Sequence, residues 1–167
     1  SYIHKVYPFL LEVADFWEDF LKYENGRYVA RGASEMEVYG SVANIVNSTR
    51  TLGFVRALFR GLLAVSAELG LDAGRRDRWR HILDHVSAFP TEVRNGKPAF
   101  SRTEAGERGM CYRHIWPAGE IGLGSDPKLL EVARNTADAL GFDDHPLFGP
   151  VLPRIGYDPV VILEYLR

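Results

Sequence analysis

The chain has 167 residues, of which 46% are hydrophobic and 25% charged, a composition typical of a globular domain and not of disordered or fibrous chains. The formal net charge is -2, and no basic stripe follows the chain, so a nucleic-acid partner is not expected. Neither a membrane-spanning run nor a secretory start is present, and the single cysteine, Cys111, cannot form an internal disulfide. The compartment, cytoplasmic or secreted, stays open, and no membrane partner is expected.

The first predicted element is a helix with Pro8 in its first turn. Apolar residues then recur at three- and four-residue steps on one wide face. Asn25 and Gly26 predict a turn that ends this helix, and residues 27–31 alternate as a short extended segment does. A loop rich in Gly, Ser and Glu follows.

Two further helices are predicted next. Ser48 or Thr49 caps the longer one, and Gly70 ends it. Asp72 is the predicted cap of the third helix, which has a buried apolar stripe. The opposite face of this helix carries a run that we expect to be solvated: Arg75, Arg76, Arg78 and Arg80.

A β-hairpin is predicted after Pro90, because two short extended runs flank Asn95 and Gly96. Residues 101–124 have no sustained periodicity and predict a long loop. Long ordered loops in compact domains are often functional, so this segment is a candidate site.

Two helices complete the chain. Ser125 or Asp126 caps the fourth helix, which stops at Gly141. Residues 142–157 are predicted as a loop, and Asp158 begins a fifth helix. The predicted fold class is therefore mainly α, with about five helices, a β-hairpin and long rim loops, an arrangement that suits part of an α/α toroid. Because the chain starts without Met and stops within a helical pattern, we expect residues 1–167 to be one fragment truncated at both ends.

Three segments occur in an order that is known from one family. They read YPFLLEVADFWEDFLKYENGRYVARGASEMEVYG, NSTRTLGFVRALFRGLLAVSAELGLD and RHIWPAGEIGLGSDPKLLEVARNTADALG. Together they resemble part of the catalytic domain of six-hairpin glycoside hydrolases, closest to the fucosidase-type inverting enzymes. The resemblance spans nearly the whole chain but only about half of such a toroid.

The resemblance implies hydrolysis of a glycosidic bond with inversion, by a Glu general acid and an Asp that activates water. Glu37 lies closest to the family's loop Glu, three residues beyond Ser34, and Glu35 is the alternative because ASEMEVYG departs from the family's Ser-Pro-Glu. Both could instead be ordinary solvent-facing charges. The family's base Asp belongs to segments outside this chain, so the fragment alone is expected to be inactive.

The resemblance also implies a sugar subsite in the long loop. Its candidate residues are Glu104, Arg113, His114, Trp116 and Glu120. Aromatic faces suit the apolar face of a pyranose, and charged groups can bind its hydroxyls. A structural role in the loop for His114, and a core anchor role for Trp116, are equally open. The implied partners are an oligosaccharide or polysaccharide substrate and the remainder of the parent chain, without a cofactor.

Metal binding is not predicted. His81 and His85 share a helix face at i and i+4, but without the glutamate of HExxH such a pair is more typical of a surface than of a metal site. A lyase on a similar toroid would need a base near an arginine, for which only the stretch Tyr112 to His114 qualifies. The second functional hypothesis is a non-catalytic helical interaction or scaffold module, with possible self-association through exposed apolar helix faces.

Overall fold

The computed structural model describes residues 2–33, 45–106, 111–141, 148–165 and 167. Within these ranges the chain forms six helices and two antiparallel two-stranded hairpins, which confirms the predicted mainly α class. In chain order the elements are α1 (Tyr2–Phe20), β1 (Lys22–Glu24), β2 (Arg27–Val29), α2 (Thr49–Leu69), α3 (Arg76–His85), β3 (Thr91–Arg94), β4 (Lys97–Phe100), α4 (Pro127–Leu140), α5 (Phe148–Arg154) and α6 (Pro159–Tyr165). None of these described helices has the length and apolar character needed to cross a membrane.

The predicted N-caps of α2, α4 and α6 are confirmed. The Ser48 hydroxyl accepts a hydrogen bond from the Thr51 backbone N at 3.1 Å, and Gly70 ends α2 in the left-handed conformation. The Asp126 and Asp158 carboxylates cap α4 and α6 in the same manner. In each case a side-chain oxygen satisfies a backbone N–H that has no partner within the helix.

The predicted hairpin after Pro90 forms, and a second hairpin, which was not predicted, follows α1. β1 pairs with β2 and β3 with β4, and each turn has Asn followed by Gly with positive φ at both residues. This geometry is the one that two-residue hairpin turns require, and Asn and Gly adopt it more readily than other residues.

Two predicted boundaries are wrong. Pro8 lies inside α1, which begins at Tyr2, and not in its first turn. The extension is stabilised by Tyr7, which is buried and whose hydroxyl donates to Asp72 Oδ2 at 2.9 Å. Asp72 consequently does not cap α3; it has a left-handed backbone and precedes a 3-10 turn over Ala73–Arg75.

One helix was not predicted. The segment 142–157 was expected to be a loop, whereas its described part contains the seven-residue helix α5. Two turns are too short for an apolar period to be visible, and Pro150 and Pro153 make the sequence read as irregular.

The arginine run of α3 is only partly solvated, in contrast to the prediction. Arg75 forms ion pairs with Asp15 and Glu18 of α1, and Arg78 also pairs with Glu18. Arg76 binds the backbone oxygen of Ser66 in α2. These side chains therefore connect α3 to its neighbouring helices, while Arg80 is exposed and pairs within α3.

The apolar residues form two cores. The first lies among α1, α2 and α3, with Leu52, Phe59 and Trp79 fully buried. The second lies among β4, residues 111–121 and the helices α4 to α6. Phe89, between α3 and β3, packs against both cores.

The two cores meet where α2 passes the turn that contains His114. A Cβ atom on Gly53 would lie 2.8 Å from His114 Cα, 2.9 Å from His114 Cβ and 3.1 Å from Ala118 Cβ. Real Cβ atoms do not approach backbone so closely. Only glycine permits this contact.

We expect Gly53→Ala to destabilise the fold by about 1 to 3 kcal/mol, because the added methyl overpacks a backbone contact. Gly61→Ala in the same helix is the matched control: nothing lies within 4 Å of its Cβ position. This control should stabilise the helix by about 0.5 to 1 kcal/mol. Urea unfolding of both variants measures the difference, and equal effects of the two substitutions would contradict the close contact.

Candidate functional site

Residues 34–44, which carry the predicted general acid Glu37 and its alternative Glu35, lie outside the described residues. The chain on either side of them is described. The backbone N of Gly32 donates to Ile45 O at 2.8 Å, and the backbone N of Asn47 donates to Ala30 O at 2.9 Å. The two ends of this segment are therefore held together next to the start of α2.

Asn47 organises the polar groups at this point. Its side chain is fully buried; Oδ1 accepts from Ala30 N at 2.8 Å, and Nδ2 donates to Ser87 Oγ at 3.1 Å and to Glu104 Oε1 at 2.7 Å. Its backbone φ of 51° is in the left-handed region. Asn suits the position because it tolerates that conformation and offers both donors and an acceptor.

Glu104 connects the long loop to this network. Arg27 Nη1 donates to its Oε1 at 2.7 Å, and its own backbone N donates to Val46 O at 3.1 Å. Partial burial acts to raise the pKa of Glu104, but the hydrogen bonds from Asn47 and Arg27 outweigh it and hold that pKa below its ordinary value. Glu104 is thus an ionised acceptor, and about a third of its side chain is exposed.

Glu120 forms the second acidic group, next to α2. It forms an ion pair with Arg60, and the Glu120 side chain is only 6% exposed whereas that of Arg60 is 57% exposed. Burial lowers the pKa of Arg56, one helical turn before Arg60, while the charge of Glu120 opposes that shift. Arg56 also donates to the backbone oxygens of Val86 and Ser87, both at 3.0 Å.

The two acidic groups belong to one polar network. Glu104 and Ser87 share the amide of Asn47, and Ser87 O accepts from Arg56, which lies in the field of Glu120. This network lines the boundary of the two cores. Three of its members, Asn47, Ser87 and Arg56, were not predicted.

His114 lies inside the protein. It has 0% exposure, and its ring centroid is 4.5 Å from those of Phe89 and Phe100. Among the described residues neither ring nitrogen has a hydrogen-bond partner. Burial lowers the pKa of His114 to about 3, so the imidazole is neutral in the folded protein. This placement favours the structural alternative over a residue that lines an open subsite.

Trp116 and Arg113 lie in the same turn, and both are half-buried. The guanidinium carbon of Arg154 is 4.3 Å from the Trp116 ring centroid, and Trp116 packs against the second core. One face of the indole is therefore covered by a cation. Stacking of a sugar on Trp116 would have to use the other face.

In the part of the chain that the structure describes, no group of three or more His, Cys, Asp or Glu side chains is placed to hold a metal ion. Comparison of the chain with protein-family models and with curated proteins gives no match. The resemblance to glycoside hydrolases therefore stays a prediction that rests on the sequence motifs.

We expect His114→Leu to flatten the acid dependence of stability. Between pH 7 and pH 5 the unfolded chain takes up a proton at His114, whose ordinary pKa is about 6.5, whereas the folded chain does not. Wild-type stability therefore falls on acidification, by up to about 1.4 kcal/mol per pH unit from this group. Urea unfolding of both proteins across this range measures the effect. A constant difference between them would contradict neutral burial of His114.

Replacement of Glu104 by Gln should also remove a contribution to stability that the wild type loses on acidification, but in a lower pH range than for His114. A lowered folded-state pKa stabilises the fold above the ordinary value of about 4.3, and this contribution is lost as the pH falls through the folded-state value. Glu104→Gln should cost about 1 kcal/mol at pH 7 and much less at pH 3, after allowance for its partial exposure. Glu131→Gln, an exposed position of α4, is the control for unfolding measured at both pH values.

Proposed function

We propose that this chain is part of the catalytic domain of an inverting glycoside hydrolase on an α/α toroid, acting on an oligosaccharide or polysaccharide. One observation supports the proposal most. Glu104, in the long loop, is hydrogen-bonded to Val46 and Asn47, at one end of the segment that carries Glu37. The long loop, to which the resemblance assigns the sugar subsite, therefore contacts the chain just after the segment to which the resemblance assigns the acid.

The charge states support a division of roles between the carboxyl groups. A general acid must be protonated near neutral pH, which requires a raised pKa. The pKa of Glu104 is lowered, so Glu104 is suited to accept hydrogen bonds from sugar hydroxyls and not to donate the proton. Glu37, or Glu35 in its place, is the proposed acid, and the base Asp is proposed to come from the remainder of the parent chain.

The outer face of α1 supports a toroid that contains further helices. Tyr2, Phe9 and Phe16 are exposed and recur at seven-residue intervals, so they lie on one stripe of the helix. Large apolar stripes of this kind normally pack against another helix. In the proposed toroid, a helix from the rest of the parent chain covers this stripe.

A non-catalytic interaction module is the second candidate. An apolar cavity of about 430 Å³ lies between α5 and α6 and is lined by Leu123, Tyr157 and Ile162, among other residues. Leu123 is largely exposed at its edge. Such a surface favours a protein partner or self-association over a sugar, whose hydroxyls need polar groups.

Hydrolysis assays separate the two candidates. The whole protein should release the leaving group from at least one member of a panel of aryl glycosides, and proton NMR of the product should show the inverted anomer. Glu37→Gln should lower kcat by about 100- to 10,000-fold, because general acid catalysis contributes that much. Circular dichroism verifies that the variant is folded.

Three further measurements distinguish between the possible outcomes. If Glu35→Gln and not Glu37→Gln removes activity, the alternative acid is correct. Glu104→Gln should raise KM more than it lowers kcat, since Glu104 is assigned to binding. No hydrolysis of any glycoside by the wild-type protein, together with self-association in analytical ultracentrifugation, would replace the enzyme proposal by the interaction module.

A further inference from the structure

Arg27 of the hairpin β1–β2 and Glu104 of the long loop form an ion pair at the surface. Arg27 Nη1 donates to Glu104 Oε1 at 2.7 Å. Nη2 lies 3.4 Å from Oε2, which is long for an N–H···O hydrogen bond. The side chains of Arg27 and Glu104 are 46% and 33% exposed, so a ligand from solvent can reach the pair.

The two carboxylate oxygens of Glu104 differ in what they bind. Oε1 accepts from the Asn47 amide as well as from Arg27, both at 2.7 Å. Oε2 has, among the described residues, only its long contact with Arg27 Nη2. A carboxylate oxygen and a guanidinium nitrogen can each make further hydrogen bonds. A spare acceptor, Oε2, and a spare donor, Nη2, therefore lie side by side at an exposed position.

A closed ring of contacts holds the ion pair from both sides. The Asn47 amide donates to Glu104 and also to Ser87 Oγ, the latter at 3.1 Å. Ser87 Oγ donates in turn to the backbone oxygen of Tyr28 at 2.7 Å, and Tyr28 directly follows Arg27 in β2. Because the ring returns to Glu104 through Arg27, both charged groups are positioned before a ligand arrives. Such preorganisation lowers the entropic cost of binding.

The charges around Arg27 cancel. Arg31 pairs with Glu24, which lies opposite Arg27 in the hairpin. With Arg27 and Glu104, two cations and two anions are therefore grouped together. A charged ligand would meet its own sign here as well as the opposite one, whereas a neutral hydroxyl group both donates and accepts. This group of charges favours an uncharged polyhydroxyl ligand.

We propose that Arg27 is a further sugar-binding residue, which holds Glu104 in position and, together with it, binds two neighbouring hydroxyl groups of one pyranose. One hydroxyl donates to Glu104 Oε2, and the adjacent hydroxyl accepts from Arg27 Nη2. Charge-assisted hydrogen bonds at both hydroxyls fix the orientation of the ring as well as its position. The inference rests on the proposed function. The sequence did not indicate Arg27, which is 77 residues from Glu104.

Kinetics of Arg27 variants test the assignment on the aryl glycoside that the whole protein hydrolyses fastest. Arg27→Gln should raise KM about tenfold and lower kcat much less, because a charge-assisted hydrogen bond to the ligand is lost and Glu104 is no longer held. Arg27→Lys keeps the charge without the planar fork and should recover part of the loss. Arg31→Gln is the matched control, since Arg31 pairs with Glu24, and its KM should stay within about twofold of the wild-type value.

The pH dependence of KM separates ligand binding from a purely structural ion pair. Burial acts to raise the pKa of Glu104, and the hydrogen bonds from Asn47 and Arg27 lower it. Without Arg27 this pKa should rise, so on acidification KM of Arg27→Gln should begin to increase at a higher pH than KM of the wild type. Parallel KM profiles in the two proteins would overturn the proposal. Circular dichroism verifies that the variants are folded.

Saturation-transfer NMR measures sugar binding without hydrolysis. The probes are the methyl glycosides of galactose, glucose, mannose, xylose and fucose. At least one should give a signal with the wild type that weakens in Arg27→Gln and persists in Arg31→Gln. Equal signals in the wild type and Arg27→Gln, or no signal from the wild type, would refute the assignment of Arg27. Binding that depends on Arg27, without hydrolysis of any aryl glycoside, would contradict the proposed function and support the sugar site.

Discussion

The passage of α2 against the turn at His114 is the constraint on which the two cores and the polar network depend. Gly53 lets the helix approach the backbone of this turn, with one side of α2 packed into the first core. Arg56 and Arg60 lie three and seven residues further along, on the same face as Gly53. From this face Arg56 donates to the Ser87 backbone oxygen, and Arg60 forms an ion pair with Glu120. A wider separation would leave Glu120 buried without its cation, which is costly.

The sequence predicted those parts of the fold whose causes are local. Ser48 satisfies a backbone N–H three residues away, and Asn95 with Gly96 needs only its own backbone conformation to form a hairpin turn. The start of α1 depended on the burial of Tyr7 and its bond to Asp72, 65 residues away. The arginine run of α3 depended likewise on carboxylates of α1. Periodicity indicates which face is apolar, but it does not show which charged groups of another helix lie opposite.

In the candidate site, too, the sequence indicates local features but not the contacts between residues that are distant along the chain. Glu104 and Glu120 are polar residues in an aperiodic loop, so the sequence could single them out, although only the fold brings Asn47 and Arg56 to them. His114 could not be assigned from its neighbours along the chain, because the rings that enclose it are those of Phe89 and Phe100. Arg56 is visible in the sequence as a charge within the apolar pattern of α2, but that pattern does not indicate that its side chain donates to Val86 and Ser87.

The paired ends of the segment between Gly32 and Ile45 bear on how this domain can change over evolution. Backbone hydrogen bonds and an antiparallel bridge between Arg31 and Val46 join the chain before and after this segment. A change in the length of this segment therefore has little effect on the stability of the helices, since each doubling of the length of a closed loop costs only about 0.6 kcal/mol in closure entropy. Insertions at this position can alter what the surface recognises while the register of α1 and α2 stays the same.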